Sequence, residues 1–322
     1  VGVIGCAALA FPTSWVVFLA VFVIAKVGYN ASLIFYDSML VDITDHDRMD
    51  VVSSYGYAWG YIGSCVPFVI SLVFVLMYEK IGITIGMAMM LAFFLNAAWW
   101  FLVTIPLLKK YKQVNYAQMP THPVRDSFRR LINTLKDIKA EKNIFLYLLS
   151  FFFFIDGVYT IIEMATAYGS ALGLDSTGLL LALLVTQIVA FPCALIFARC
   201  SKKYETDLLI KICIAAYTGI ALFAIQLDKQ WEFWLLAVLV GMFQGAIQAL
   251  SRSYFAKIIP AEKAGEYFGI YDICGKGASF LGTTLVGVIA QLTNVANAGV
   301  AMITVLFVIG FVLFCKAAKL NK

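Results

Sequence analysis

The sequence predicts an all-α polytopic membrane protein built from two related halves. Three observations carry that reading. Charged residues make up 13% of the 322 positions and hydrophobic ones 62%, whereas a soluble domain has about 25% charged residues to cover its surface. Apolar runs recur from end to end of the chain, each near the ~20 residues that cross a bilayer. One long basic segment, 109–142, divides these runs into two sets.

The remaining composition fits this class. The net charge of +5 reflects basic loops on one side of a membrane and does not point to nucleic acid. The seven cysteines (Cys6, Cys65, Cys193, Cys200, Cys213, Cys274 and Cys315) lie in or beside the apolar runs without a CxxC pair, so they imply neither a metal nor a disulfide framework. His46 and His122 fall in loops, and no GxSxG or HExxH motif is present. Nothing therefore calls for a cofactor or a metal, or for an enzyme.

Taken in order, a partial apolar run covers 1–12 and full spans are expected at 15–36, 51–77 and 83–108, the second broken by Pro67. The first run begins without a charged leader, so the chain is read as starting inside a helix, with upstream spans absent. The segment 109–142 follows as a linker. Within it Val124, Phe128, Leu131, Leu135 and Ile138 recur at steps of three and four with basic residues between them, the pattern of an amphipathic helix docked on the membrane face or under the bundle. Six more spans are expected at 144–168, 177–198, 208–227, 233–258, 267–292 and 298–315. The expected units are thus a partial N-terminal bundle, 1–108, the linker, 109–142, and a six-helix C-terminal bundle, 143–322.

Basic residues set the orientation. Nine lie in the linker, and alternate loops add Arg48, the group Arg199, Lys202 and Lys203, then Lys257 and Lys263, and finally Lys316, Lys319 and Lys322; the opposite loops hold Lys80 and Lys229. The linker and the C-terminus are therefore expected on the cytoplasmic side. An internal repeat supports the two halves: a shift of about 215 residues lays Asp47-Arg48 on Glu262-Lys263, Gly60 on Gly275 and Ser64 on Ser279.

Polar residues inside the spans are the candidates for function, because such groups are costly in lipid and face protein or a water-filled cavity. Lys26, Asn30 and Asp37 share one face of the 15–36 helix. Lys26 is near mid-span, and Asp37, nearer the end, reads as a cap or gate contact. Asp156 and Glu163 are seven apart, about two turns; a carboxyl in such a site suits a proton carrier. Gln244, Gln248 and Arg252 step by four along the 233–258 helix. The glutamines suit a polar solute or a neighbouring helix, and Arg252 is expected to reach toward headgroups. Asp272 and Lys276 read as a structural i, i+4 pair. Gly56-xxx-Gly60 and Gly241-xxx-Gly245 are close-packing motifs. The sharpest expectation pairs Lys26 with Asp156 across a central cavity, the alternative being a purely structural ion pair.

The segments FYDSMLVDI and MDVVSSYGYAWGYIGS, FIDGVYTII at 154–162, and QALSRSYFAKIIP with GEYFGIYDICGKGASFLG at 248–282 resemble the vacuole-effluxer-like branch of the major facilitator superfamily. The resemblance runs over the whole chain. It implies two pseudo-symmetric six-helix bundles, with the first two helices and part of the third missing here. It also implies secondary transport of a small solute by alternating access, amino acids first and sugars or other organic ions next. The lining helices it implies are 15–36, 144–168 and 233–258. Lys26, Asn30, Asp156, Glu163, Gln244 and Gln248 are thus the expected solute and coupling residues, with protons as the coupling ion. Asp37, Arg252, Asp272 and Lys276 are then gate or structural groups. The expected partners are a small-molecule solute and the lipid bilayer, and the expected location is a bacterial plasma membrane. A non-transporting receptor or scaffold on the same fold is the other reading.

Overall fold

A computed structural model describes residues 1–11, 14–115, 123–293 and 296–320. Every regular element among them is helical: α1 (Gly2–Ala8), α2 (Trp15–Ser38), α3 (Leu40–Ile43), α4 (Met49–Leu76), α5 (Tyr78–Ile81), α6 (Ile85–Lys110), α7 (Pro123–Ala140), α8 (Lys142–Ala171), α9 (Ser176–Cys200), α10 (Thr206–Ala224), α11 (Gln230–Ile258), α12 (Ala264–Thr293) and α13 (Ala296–Leu320). Short 3₁₀ turns, His46–Arg48 and Ala261–Lys263, precede α4 and α12. Nine helices among the described residues are long and apolar enough to cross a membrane. Local chemistry explains several boundaries. Thr84 caps α6 by accepting from the Met87 N–H at 3.3 Å, and Asp175 caps α9 through the Gly178 N–H at 2.7 Å. Gly82 takes a positive φ of 78° just after α5, a conformation that costs a residue without Cβ nothing.

Pro67 does not break its helix. α4 runs through it from Met49 to Leu76, as membrane helices can when neighbouring groups satisfy the freed carbonyl. The linker does form the expected amphipathic helix, α7. Ile138 and Thr134 face inward, and Phe128 and Ile132 remain exposed. Residues 116–122 and the side chain of Val124 lie outside the described residues.

The repeat is geometric as well as sequential. α2 and α11 begin at 15 and 230, the 3₁₀ turns at 46 and 261, and α4 and α12 at 49 and 264, a constant offset of 215.

The aromatic core lies in the second half. Tyr147, Phe151 and Phe154 of α8 are buried together with Phe255 of α11, Phe268 of α12 and Phe314 of α13, and Phe151 stacks on Tyr271 with ring centroids 4.0 Å apart. The two halves meet where α4 packs on α9 and α11. There Trp59 lies against Phe191 at 5.6 Å, and Gly245 lets Tyr61 approach so closely that a Cβ would sit 3.0 Å from its ring. Gly241 likewise brings α11 onto the backbone of α9, where a Cβ would meet the Thr186 carbonyl at 2.7 Å. The other small-residue pair splits: Gly56 has Tyr36 and Arg252 beside it, whereas nothing lies within 4 Å of a Cβ built on Gly60.

Candidate functional site: a polar cavity between the halves

Three helices contribute polar stripes to one cavity of about 580 Å³. On α2 the stripe is Lys26, Tyr29, Asn30, Leu33, Tyr36 and Asp37, whose three- and four-residue steps hold one helical face. On α12 it is Asp272, Gly275, Lys276, Ser279 and Thr283, and on α8 Phe151, Ile155, Tyr159 and Glu163. α4 adds Tyr57 and α11 adds Gln248. Seven of the ten polar residues singled out from the sequence thus share one space.

The charges in this space are unevenly matched. Lys276 is ion-paired with Asp272, as their spacing predicts, yet both also line the cavity. Glu163 accepts a hydrogen bond from Ser279 at 2.7 Å. Lys26 has no ion pair among the described residues; its ammonium lies 5.7 Å from the Tyr29 ring centroid. The Oδ1 atom of Asn30 is buried without a partner. A mid-span ammonium held only by an aromatic face is expensive in lipid, so this arrangement suits water or a bound anion.

At the end of the cavity nearest the linker, Arg252 lies against the lining residues Tyr36, Asp37 and Tyr57. The side chain does not reach toward headgroups. It is 3% exposed, with Nη1 3.1 Å from the Asp37 carboxylate, Nε donating to Ser53 Oγ at 3.0 Å and Nη2 to the Ser53 carbonyl at 3.3 Å. The Tyr36 and Tyr57 rings flank it, each with its centroid 5.0 Å away. A guanidinium so supplied with acceptors and π-faces has no reason to extend toward lipid.

Below it lies a second polar cluster that the sequence did not reveal. Asp50, buried on α4, accepts from Lys257 Nζ, Thr206 Oγ1 and Ser253 Oγ, each at 2.6 Å. These three donors stand on α10 and α11, so the carboxylate ties the two halves together. Further bonds cross the same end, including Thr134 to Glu266 at 2.6 Å and Lys263 to Asp137 at 2.9 Å.

Two glutamines and one carboxylate complete the account. Gln244 sits beside the main cavity, in a space of about 420 Å³ shared with Gln187, Tyr61 and Gln248, and the Oε1 atoms of Gln244 and Gln187 are buried without partners. Asp156 does not face Lys26. It is 1% exposed and sits between α8 and α12, where its Oδ1 accepts from the Gly282 N–H at 3.1 Å and from Thr160 at 3.2 Å. The reason is angular: the cavity stripe of α8 passes through Ile155, and Asp156 is one residue, about 100°, round the helix. Its seven-residue spacing from Glu163 puts the two near one another in projection, but a stripe that steps by four drifts across that face. The tyrosines were also missed as lining residues. Their signal was faint, a recurrence at 29, 36, 57, 61, 159 and 271 in helices rich in aromatics.

Helical halves related by a repeat, enclosing a polar cavity at their interface, define a major facilitator-type membrane protein. The profile of the family described as vacuole effluxer Atg22 like matches residues 1–318, and the chain belongs to that family. An MFS-type transporter, YxiO of Bacillus subtilis, is 43% identical over 316 residues, 97% of this chain and 74% of the relative. Autophagy-related protein 22-1 of Penicillium rubens is 25% identical over 270 residues, which are 74% of this chain but 44% of that protein. Among solved structures, the human organic anion transporter MFSD10 aligns with a TM-score of 0.61 at 16% identity, covering 97% of this chain and 75% of that one. A bacterial homologue of the iron transporter ferroportin, in an outward-facing state, aligns at 0.61 and 13% identity over 98% and 77%. These two likenesses concern the fold alone.

Proposed function

We propose that the protein is a secondary active transporter that moves a small polar solute, an amino acid first, across a bacterial plasma membrane by alternating access. The carrying observation is the cavity itself: an unpaired ammonium, Lys26, and a carboxylate, Glu163, line one space of about 580 Å³ between the halves. A zwitterion fits that pair, with its carboxylate toward Lys26 and its ammonium toward Glu163, and the unpartnered Asn30 Oδ1 is a further acceptor. The tyrosines offer hydrogen bonds and π-faces to the rest of the solute. Glu163 is the coupling carboxylate in the cavity, because a proton there would remove its attraction for the ammonium of the solute and so alternate with it. Asp156, away from the cavity, can take part only through α12.

In this reading the linker end faces the cytoplasm, in line with its basic residues, and the Arg252 and Asp50 clusters hold that end shut. The test is uptake of labelled amino acids, sugars and organic anions by proteoliposomes of the full-length protein, with and without a pH gradient. Saturable amino-acid flux that Lys26→Ala removes supports the reading. A full-length protein that binds solute without moving it would instead be a receptor on the same fold.

A further inference from the structure

A groove of about 290 Å³ opens beside the linker helix, away from the central cavity. Leu135 of α7, Phe145, Leu149 and Phe152 of α8, and Ile270 and Cys274 of α12 line it, and Lys139 is the one charged residue in its wall. From Phe145 to Phe152, the α8 residues that line it, is seven residues, so the groove runs about 10 Å along the helix, within the depth of one leaflet of the hydrocarbon core. α8 and α12 are both spans, so the bilayer itself adjoins this slot.

The charge along the linker helix beside it is one-sided. On α7, Asp137 is ion-paired with Lys263 and Asp126 has an interaction partner. By contrast Arg125, Arg129, Lys136 and Lys139 make no ion pair among the described residues, and neither does the adjoining Lys142. Glu141, exposed between the two helices, is the one acid there without a partner. Phe128, Ile132 and Leu135 form an exposed apolar stripe along α7, 65%, 53% and 48% accessible, and at the helical step of four the stripe ends on Lys139. Free cations beside an apolar stripe that leads into an apolar slot match a molecule with an anionic head and a hydrocarbon tail.

We propose that this groove is a binding site for an anionic phospholipid, with one acyl chain between α8 and α12 and the headgroup phosphate held by Lys136 and Lys139. The lipid would fasten the linker helix to the second half and fill a gap that protein side chains leave open. The site is independent of the solute reading and stands or falls without it.

The experiment uses the full-length protein in nanodiscs of equal phosphatidylcholine and phosphatidylglycerol, each lipid supplied in turn with a photoactivatable acyl chain. The expected result is that phosphatidylglycerol crosslinks preferentially to peptides containing Phe145–Phe152 and Ile270–Cys274. Lys136→Gln and Lys139→Gln should each lower that yield about fivefold, the effect of one basic residue at a charged bilayer surface. Both lysines are exposed, so their replacement leaves the fold intact, and a Lys80→Gln control in an opposite loop, also exposed, should leave the yield within twofold. Equal yields from the two lipids, crosslinks spread evenly over the spans, or a yield indifferent to both lysine changes would each overturn the proposal.

Discussion

Asp37 and Arg252 are 215 residues apart in the chain and 3.1 Å apart in space. That separation is also the offset of the repeat, so the two residues occupy equivalent positions in their halves. Equivalent positions come into contact only close to the axis that relates the halves. This ion pair therefore marks that axis at the linker end, and the cavity lies along the axis beyond it. One position has become an acid in one half and a base in the other, which turns a symmetric near-contact into an attraction.

The pair is buried, and removing one member strands the other. Asp37→Ala and Arg252→Ala should each destabilise the protein by about 3–5 kcal/mol, while removing both should cost clearly less than the sum. Thermal unfolding in detergent, run as a double-mutant cycle, measures this. Additive losses would mean that Ser53 and the tyrosines, and not Asp37, hold the guanidinium.

Lys26 should behave in the opposite way. It has no ion pair to lose, and an ammonium at mid-span costs at least ~2.5 kcal/mol on insertion scales. Lys26→Met should therefore leave thermal stability unchanged or raise it by up to about 2 kcal/mol while abolishing solute binding. Lost stability together with retained binding would show that Lys26 is a structural group.

The Asp156 and Gly282 contact tests why Asp156 lies off the cavity. A Cβ on Gly282 would come within van der Waals overlap of the Asp156 carboxylate and of Thr160 Oγ1. Gly282→Ala should cost about 1–3 kcal/mol through overpacking, and adding Asp156→Ala should recover part of it, the overlap with Thr160 remaining. Asp156→Asn alone should be mild, since an amide oxygen still accepts from both donors. No recovery in the double variant would place the strain elsewhere on α12.

The fold was readable because composition, span length and loop charge all report on the bilayer, and the repeat offset is written in the residues around Asp47 and Glu262. The site was readable in part. Lys26, Asn30, Glu163, Gln248, Asp272 and Lys276 announce themselves as polar groups at helical spacing, and the structure brings them to one space. What stayed hidden depends on angles and partners. Asp156 and Ile155 differ by a single residue, yet one faces α12 and the other the cavity. Arg252 looked like a snorkelling side chain because nothing local shows that Asp37 and Ser53, in the other half, would enclose it. Asp50 resembled any acid at a helix start, and its three donors come from 156 to 207 residues further along the chain.

The last prediction concerns that carboxylate. Asp50 gathers three donors from α10 and α11 onto α4, so in the alternating-access mechanism proposed above the linker end opens only when those bonds break. Hydrogen bonds to a charged group contribute about 1.5–3 kcal/mol each, and the donors regain water when the end opens, so the net lock is of the order of one such bond. Asp50→Asn weakens it without emptying the space, and should raise the open population about tenfold or more, which corresponds to ~1.4 kcal/mol. Ser54, fully buried at this level, is a suitable reporter. In a cysteine-free background, Ser54→Cys should react slowly with a thiol reagent applied from the linker side, and about tenfold faster once Asp50→Asn is added. The Lys257→Gln change should accelerate labelling in the same way, because it removes the partner charge from the same bond. If labelling stays slow in both variants, the closure at this end does not rest on Asp50, and its cluster serves only to pack α4 against α10 and α11.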